Sequence, residues 1–415
     1  MEVLFPHSAG LDVHKKSVVA AVIVGHNAKN HPLFEVKTFG TMTRDLLELG
    51  DWLGERGITH VTMESTGEYW KPVYTLLEEQ FTLLVVNAHH VKHVPGRKTD
   101  QNDAMWLCQL MTYGLLTASF VPPAGQRELR EMTRARATMV KERTALINRL
   151  HRTLESANIK LSSVASDLQG VSAKAMLVAI AQGQTEIDAL VALAQGRLRT
   201  KKVELAHALE GRVKAHHRFI LSELLAQIDS LDETIDRFDA EICRMCLPFE
   251  GAVAHLDTIP GVGVTAAQQI IAETGIDMSV FPTVRHLCAW AGVAPGNHQS
   301  AGKTLSRRTR AGNRSLKRVL IEAAHGAARM QGTYLSAQYK RLVGRRGQKR
   351  AIMAVAHSIL TIAYYLILRD EDYQELGGNY FDTLQTSKTR QNLVSRLQQM
   401  GYEVTLTAPQ EVAAA

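Results

Sequence analysis

Two stretches of this sequence run long without a proline, and they decide how the rest can be arranged. Residues 126–157 and 203–246 are rich in charge and carry apolar side chains at heptad-like intervals. Helices that bury one stripe against a partner helix satisfy that pattern, so the two stretches are expected to pair as an antiparallel coiled-coil arm. Between them, residues 159–200 are less regular, with glycines at 170, 183 and 196, and read as an inserted helical segment. Pro248 ends the arm. A chain of 415 residues is too long for one ordinary domain. The arm supplies the division: 1–125 before it, 126–248 the arm, 249–369 a compact helical domain, and 370–415 a polar tail expected to be partly disordered.

Before the arm the periodicity is different. Ser8 to Leu11 leads into Asp12, and Ser17 to Val24 is a β-rich run, so the pair reads as adjacent antiparallel strands. Thr43 to Arg56 has helical spacing; Ile58 to Met63 reads as a strand ending at Glu64, Val73 to Gln80 as a helix, and Thr82 to Val86 as a strand. A further helix is expected to open near Thr99. Alternation of this kind implies an α/β layer around a buried mixed sheet. The expected fold class is therefore α/β followed by all-α.

Charge is unevenly spread. Between Ala301 and Arg350 there are fourteen Lys or Arg and one acid, Glu322; this stretch carries +13, so the rest must be net acidic to leave +7 overall. A segregated basic block is the footprint expected of a phosphate-backbone contact. The four cysteines do not make a disulfide framework in so long a chain, which points to a reducing compartment. Cys243 and Cys246 have C-x-x-C spacing without a second ligand pair nearby, so core or helix-end cysteines are a plainer reading than a zinc site. The start lacks the pattern of a signal peptide. The apolar run from Ala351 to Leu368 approaches membrane-spanning length but contains His357, Ser358 and Thr361, and reads as a buried core helix.

Four acids stand out by position. Asp12 and Glu64 end strands, and Asp100 and Asp103 stand three apart where a helix is expected to open, with Thr99 as its cap. Attack on a phosphodiester develops charge on the entering and leaving oxygens, and two divalent ions can stabilise both. Hard Mg²⁺ takes oxygen ligands, so four carboxylates suit a pair of such ions. Two strand acids followed by paired helix acids is the order used by ribonuclease-H-like nucleases. Lys15, Lys16, Arg97 and Lys98 lie within a few residues of the acids. His89, His90 and His93, spaced H-H-x-x-H, read as loop histidines near a backbone-binding groove, with a metal site as the alternative.

Asp257 to Thr274 holds I-P-G-V-G before a helix starting near Thr265, the signature of a helix-hairpin-helix. In that motif Gly261 and Gly263 would let backbone amides approach a phosphate; a plain turn between packed helices is the alternative. Trp290 to Lys303 reads as a loop with Ser300 at its tip, followed by Arg307, Arg308, Arg310, Arg314, Lys317 and Arg318. A serine beside such a cluster suits a phosphate contact or a nucleophile, and local spacing does not separate these.

These motifs together, G-L-D-V-H-K, M-E-S-T-G-E-Y-W, K-T-D-Q-N-D-A, I-P-G-V-G, A-G-V-A-P, S-A-G-K and G-N-R-S-L-K-R, resemble in order those of the DEDD transposases of the insertion-sequence one-ten family, including its eleven-eleven subgroup. They span about residues 8–115 and 250–368. The resemblance implies a RuvC-like domain whose Asp12, Glu64, Asp100 and Asp103 bind Mg²⁺. It implies a C-terminal transposase domain in which Ser300 attacks DNA to give a phosphoserine. By charge and position, Lys15, Lys98, Lys303 and the arginines are expected on nucleic acid. It further implies a noncoding bridge RNA that pairs with donor and target DNA, homo-oligomers from dimer to tetramer, and a cytoplasmic, nucleoid-associated bacterial enzyme. Ala301 departs from the family loop, which usually reads S-G-G. A RuvC-like junction endonuclease acting through water, and a non-catalytic nucleic-acid-binding protein, are the competing readings.

Overall fold

The computed structural model describes residues 2–28, 31–87, 91, 102–296, 298–300, 303–306, 309, 311–384 and 386–406. The chain divides into two units, Met1–Pro122 and Pro123–Ala415.

The first unit is built on a five-stranded sheet of order β3-β2-β1-β4-β5 among the described residues. The strands are β1 (Ser8–Val13), β2 (Ser17–His26), β3 (Pro32–Gly40), β4 (His60–Glu64) and β5 (Thr82–Val86). The first three form an antiparallel meander, while β4 runs parallel to β1 and β5 parallel to β4. Helix α1 (Thr43–Glu55) makes the crossover to β4, and α2 (Trp70–Leu77) the crossover to β5. Both cover one sheet face, where Ala9, Leu11 and Val13 meet Leu46, Leu49, Trp52, Val73 and Leu77. The other face receives α3 (Asp103–Thr112). Strand β3 was not foreseen: most of its positions are half-buried or exposed, so its alternation is faint against the apolar runs beside it.

In the second unit, α4 (Ala124–Ser156) lies along a later helix of 31 residues, labelled α8 below. Before it come α5 (Val171–Ala181), α6 (Ile187–Ala192) and α7 (Lys202–Leu209); α8 is Ala215–Met245. Ion pairs Arg136–Asp239 and Arg143–Asp232 step forward along α4 and backward along α8, so the two run antiparallel. The second heptad stretch is interrupted between Leu209 and Ala215, which puts its first part in α7 and leaves α8 to run along α4 as the second strand of the arm. The inserted segment is not separate from the arm. Ile159, Leu161, Met176, Leu177 and Leu190 share one core with Leu146, Leu150 and Leu154 of α4 and Leu221, Leu224 and Ile228 of α8.

The C-terminal helices are α9 (Glu250–Asp257), α10 (Val264–Thr274), α11 (Val284–Trp290), α12 (Arg314–Arg329), α13 (Tyr334–Arg346) and α14 (Gln348–Arg369). Between α11 and α12 lies a two-stranded ribbon of β6 (His298–Ser300) and β7 (Lys303–Ser306). Among the described residues α14 alone is long and apolar enough to cross a membrane, and half of that span is buried. It buries Ala351, Ile352, Val355, Ile359 and Leu360 and packs on α12 and α13, which fits the expected core helix. The described part of the tail carries α15 (Tyr380–Leu384) and α16 (Thr386–Gln399); Phe381 stacks on Tyr334 of α13, and Tyr380 meets the same ring edge-on. Three aromatic rings in contact give this polar stretch an apolar anchor that its average composition hides.

Candidate active site

The acidic edge of the first unit follows from the two-residue period of a strand. Since Ala9, Leu11 and Val13 face α1 and α2, Ser8, Gly10 and Asp12 face α3. Three contacts fix the direction of that helix. Ser8 Oγ meets Thr112 Oγ1 at 2.8 Å, and Cys108 Sγ donates to the Ser8 carbonyl at 3.3 Å. At Gly10 an added Cβ would lie 2.1 Å from the Ala104 carbonyl oxygen, so only glycine lets the helix come this close. The C-terminal end of α3 is thus over Ser8 and its N-terminal end, with Asp103, is towards Asp12. On β4, Val61 and Met63 belong to the core, which puts Thr62 and Glu64 on the same face as Asp12. The parallel register pairs Leu11 with Met63, so Asp12 and Glu64 stand at the same edge of the sheet.

Asp12 is partly exposed (22%) and lies 3.2 Å from His14 Nε2. Glu64 and Asp103 are partly buried and each is engaged by neighbours. The helix begins at Asp103, not at Thr99: Asn102 is its cap, and its side chain accepts from the Ala104 N–H at 2.9 Å. Asp100, Lys98, Thr99 and Arg97 lie outside the described residues, as do His89, His90 and His93. Among the described residues no group of three His, Cys, Asp or Glu side chains is close enough to hold a metal ion as it stands. The donor set is nevertheless the right kind for Mg²⁺: Asp12, Glu64 and Asp103 are all carboxylates and share one face and one edge. Lys15 is exposed just past β1, its carbonyl accepting from Thr41 Oγ1 at 3.1 Å.

In the second unit the two glycines of I-P-G-V-G have different jobs. Gly261 has φ +86°, and an added Cβ would lie 2.4 Å from Ala327 N and 2.5 Å from the Ala323 carbonyl oxygen. It is therefore where α12 crosses the turn, and its backbone is occupied by packing. Gly263 caps α10, is exposed, and has open space beside it, so it is the position of the two at which a phosphate has room.

Ser300 stands at the end of β6, opposite Lys303 in the ribbon register. What reads as a loop in the sequence is a hairpin, because polar strands as short as these leave no hydrophobic alternation to detect. Its base is held firmly. Pro295 bridges to Thr309, Asn313 N–H donates to the Trp290 carbonyl at 3.0 Å, and a Cβ on Gly312 would meet Gly292 N at 2.4 Å. Lys303 is exposed at the start of β7. Arg307, Arg308 and Arg310 lie outside the described residues. Arg314 and Arg318 are exposed on the first turns of α12, Arg318 being 3.8 Å from Glu322; Lys317 Nζ donates to Thr309 Oγ1 at 2.8 Å.

One residue beneath the hairpin was not anticipated. Glu273, only 1% exposed, closes the last turn of α10. Arg134 Nε and Nη2 donate to its two oxygens at 2.7 and 2.9 Å. Arg130 Nε lies 3.2 Å from Oε2, and Asn313 Nδ2 donates to the same oxygen at 2.6 Å. Asn313 in turn caps α12 by accepting from the Ser315 and Leu316 N–H groups, both at 3.1 Å. Burial draws Arg130 down to about 10. The available signal was an acid inside the apolar run I-I-A-E-T, where a buried charge must find partners.

Comparison with known proteins completes the picture. A family model described as Transposase, of the DEDD type of IS110, matches residues 9–159, and one described as Transposase IS116/IS110/IS902 family matches residues 253–340. The first contains the acidic edge and the second the hairpin, and together they span more than half of the chain. The chain belongs to the IS110 family of transposases. It is accordingly a DNA transposase of an insertion sequence. A similar protein is the transposase for insertion sequence element IS1111A of Coxiella burnetii, 26% identical over 76% of this chain and 79% of its own. A probable family 20 transposase of Pseudomonas aeruginosa is 25% identical over 76% of this chain and 85% of its own. A putative transposase of Sinorhizobium fredii is 28% identical over 69% of this chain and 66% of its own.

Proposed function

We propose that this transposase cuts and rejoins DNA through a phosphoserine at Ser300, assisted by Mg²⁺ at Asp12, Glu64, Asp100 and Asp103 and guided by a bridge RNA. The observation that carries the metal-assisted part is the gathering of Asp12, Glu64 and Asp103 on one face at one sheet edge. When bound, divalent ions there supply charge stabilisation for the entering and leaving oxygens. Ser300 Oγ attacks the scissile phosphorus and loses its proton; the bond from phosphorus to the deoxyribose oxygen breaks, and that oxygen leaves as a hydroxyl. Rejoining reverses the roles: a strand hydroxyl attacks, and the bond from phosphorus to Ser300 Oγ breaks. The anchored hairpin base favours a repeatable Ser300 position. Gly263, Lys15, Lys303, Arg314, Lys317 and Arg318 hold phosphates, as do Lys98, Arg307, Arg308 and Arg310, and thereby set the strand in register. Selection of donor and target by a paired RNA, assembly as dimer to tetramer, and action on the bacterial nucleoid rest on the family resemblance.

The test incubates protein, cognate RNA, Mg²⁺ and labelled donor and target DNA and looks for an adduct that survives denaturation. Its presence in wild type and loss in both Ser300→Ala and Asp12→Ala supports the mechanism. Cleavage that persists in Ser300→Ala without an adduct refutes it and favours a nuclease that uses water.

A further inference from the structure

One residue, Asn313, joins both ends of the segment that carries Ser300. Its backbone N–H donates to the Trp290 carbonyl at 3.0 Å, which closes residues 291–312 into a loop tied at its base. The side-chain amide is fixed at both of its ends. Oδ1 accepts from the Ser315 and Leu316 N–H groups, and Nδ2 donates to Glu273 Oε2 at 2.6 Å. Backbone N–H groups can only be accepted from and a carboxylate can only be donated to, so the amide has one orientation here.

A helix cap needs no buried acid, yet this one is tied to an acid that the arm holds from the far side. Besides the two Arg134 bonds to the Glu273 carboxylate, Arg130 Nη2 donates to the Glu273 carbonyl at 2.6 Å and Gln126 Nε2 to the Ala272 carbonyl at 3.2 Å. The last turn of α10 is thus fastened to α4 through side chain and backbone together. From Asn313 the connection continues towards the hairpin. Lys317, one turn into α12, donates to Thr309 Oγ1 at 2.8 Å, and Thr309 bridges to Pro295 across the hairpin base. A shift in how α12 begins therefore moves both sides of the ribbon.

The lever is long. Five residues separate Pro295 from Ser300, a reach of up to about 17 Å. At that reach a tilt of about 4° at the base displaces the tip by about 1 Å, and a misplacement of that size costs about a hundredfold in rate. We propose that Asn313 is a positioning residue for Ser300, oriented by Glu273, so that the arm sets the pose of the nucleophile. The inference rests on the phosphoserine reading above and adds to it a residue that acts through the hairpin.

Single-turnover formation of the denaturation-resistant adduct tests it, with the full chain, cognate RNA, Mg²⁺ and a titration of labelled donor DNA. Asn313→Asp keeps an equally good helix cap but sets a second carboxylate against Glu273. Its adduct rate at saturating DNA is expected to fall about 10- to 100-fold. The DNA concentration for half-maximal rate should stay that of wild type, the pattern of lost reacting geometry with binding untouched, and this also reports a folded variant. Adding Glu273→Gln places an amide donor opposite the new carboxylate and should return about tenfold of the loss. Arg136→Ala breaks a different ion pair of α4, to Asp239 of α8 rather than to Glu273, and should leave the rate unchanged. A wild-type adduct rate in Asn313→Asp overturns the inference, as does a loss confined to the half-maximal concentration or one that Glu273→Gln deepens. No adduct from wild type overturns the phosphoserine reading and this inference with it.

Discussion

Removing the carboxylate of Glu273 should cost this protein more than removing any single surface charge. Glu273→Ala leaves two guanidiniums facing each other in the gap, Arg130 with 14% of its side chain exposed and Arg134 with 43%. Breaking a buried pair by deleting one partner costs about 3–5 kcal/mol. Water can reach Arg134, so its part is screened, and the expected loss sits at the lower end, about 3 kcal/mol. For a unit of this size each kcal/mol moves the melting temperature by roughly 2–4 °C, so a fall of about 6–12 °C should be seen by calorimetry. Glu273→Gln retains the shape and an acceptor for Asn313 and should fall by less. In a double-mutant cycle Arg134→Ala should cost less in the Glu273→Ala background than alone, by about 0.5–3 kcal/mol. Because Glu273 holds Asn313 at the hairpin base, strand transfer should drop further than the fraction unfolded explains. A melting temperature within 2 °C of wild type for Glu273→Ala, by the same scale, would refute the assignment of Glu273 as a structural anchor.

Three further outcomes are expected. Gly261→Ala should strongly destabilise the second unit, since the new methyl meets backbone at 2.4 Å and the residue is held at φ +86°; Gly263→Ala should melt within about 1 kcal/mol of wild type, and equal melting of the two variants would contradict the packing role of Gly261. Gly10→Ala should push α3 off the sheet and abolish Mg²⁺-dependent cleavage, read as loss of product with Ser300 intact; full activity would show that Asp103 need not approach Asp12. His255 lies 2.7 Å from Asp372 and 3.2 Å from Asp370, and the hydrogen bond to Asp372 raises its pKa above the usual histidine value. A raised folded pKa gives stability that is complete below the unfolded value and is lost as pH rises through the folded one, so limited proteolysis after Arg369 should accelerate with rising pH in wild type and not in His255→Gln.

How much of this was legible can be followed residue by residue. Strand β5 and helix α1 match the expected spans within a residue, since Thr82–Val86 is a compact apolar run and α1 buries Leu46, Leu49, Trp52 and Leu53 on one stripe. The strand positions of Asp12 and Glu64 follow from the same periodicity, whereas their common face depends on which of two possible faces receives α3, a tertiary fact. Asp103 moved from within a helix to its first residue because Asn102 is a better-placed cap than anything the spacing revealed. Edge strand β3 escaped because exposed strands lack the alternation that burial imposes, and ribbon strands β6 and β7 because they are three and four residues long with almost no apolar residue to alternate. Glu273 escaped for the opposite reason. Its partners lie 139 and 143 residues earlier on α4 and 40 residues later at Asn313, and no local pattern reports such separations.

The shared core at the far end of the arm has a consequence in time as well as in space. Its side chains all come from between Leu146 and Ile228, a continuous run of sequence. Contacts between near neighbours in sequence close quickly, and during synthesis the N-terminal parts of a chain are available first. The tip can therefore close while α10 and Asn313 are still unmade. Through that interval Arg130 and Arg134 remain in water, and the pairing that locks the arm to the Ser300 hairpin forms only after the tip has closed.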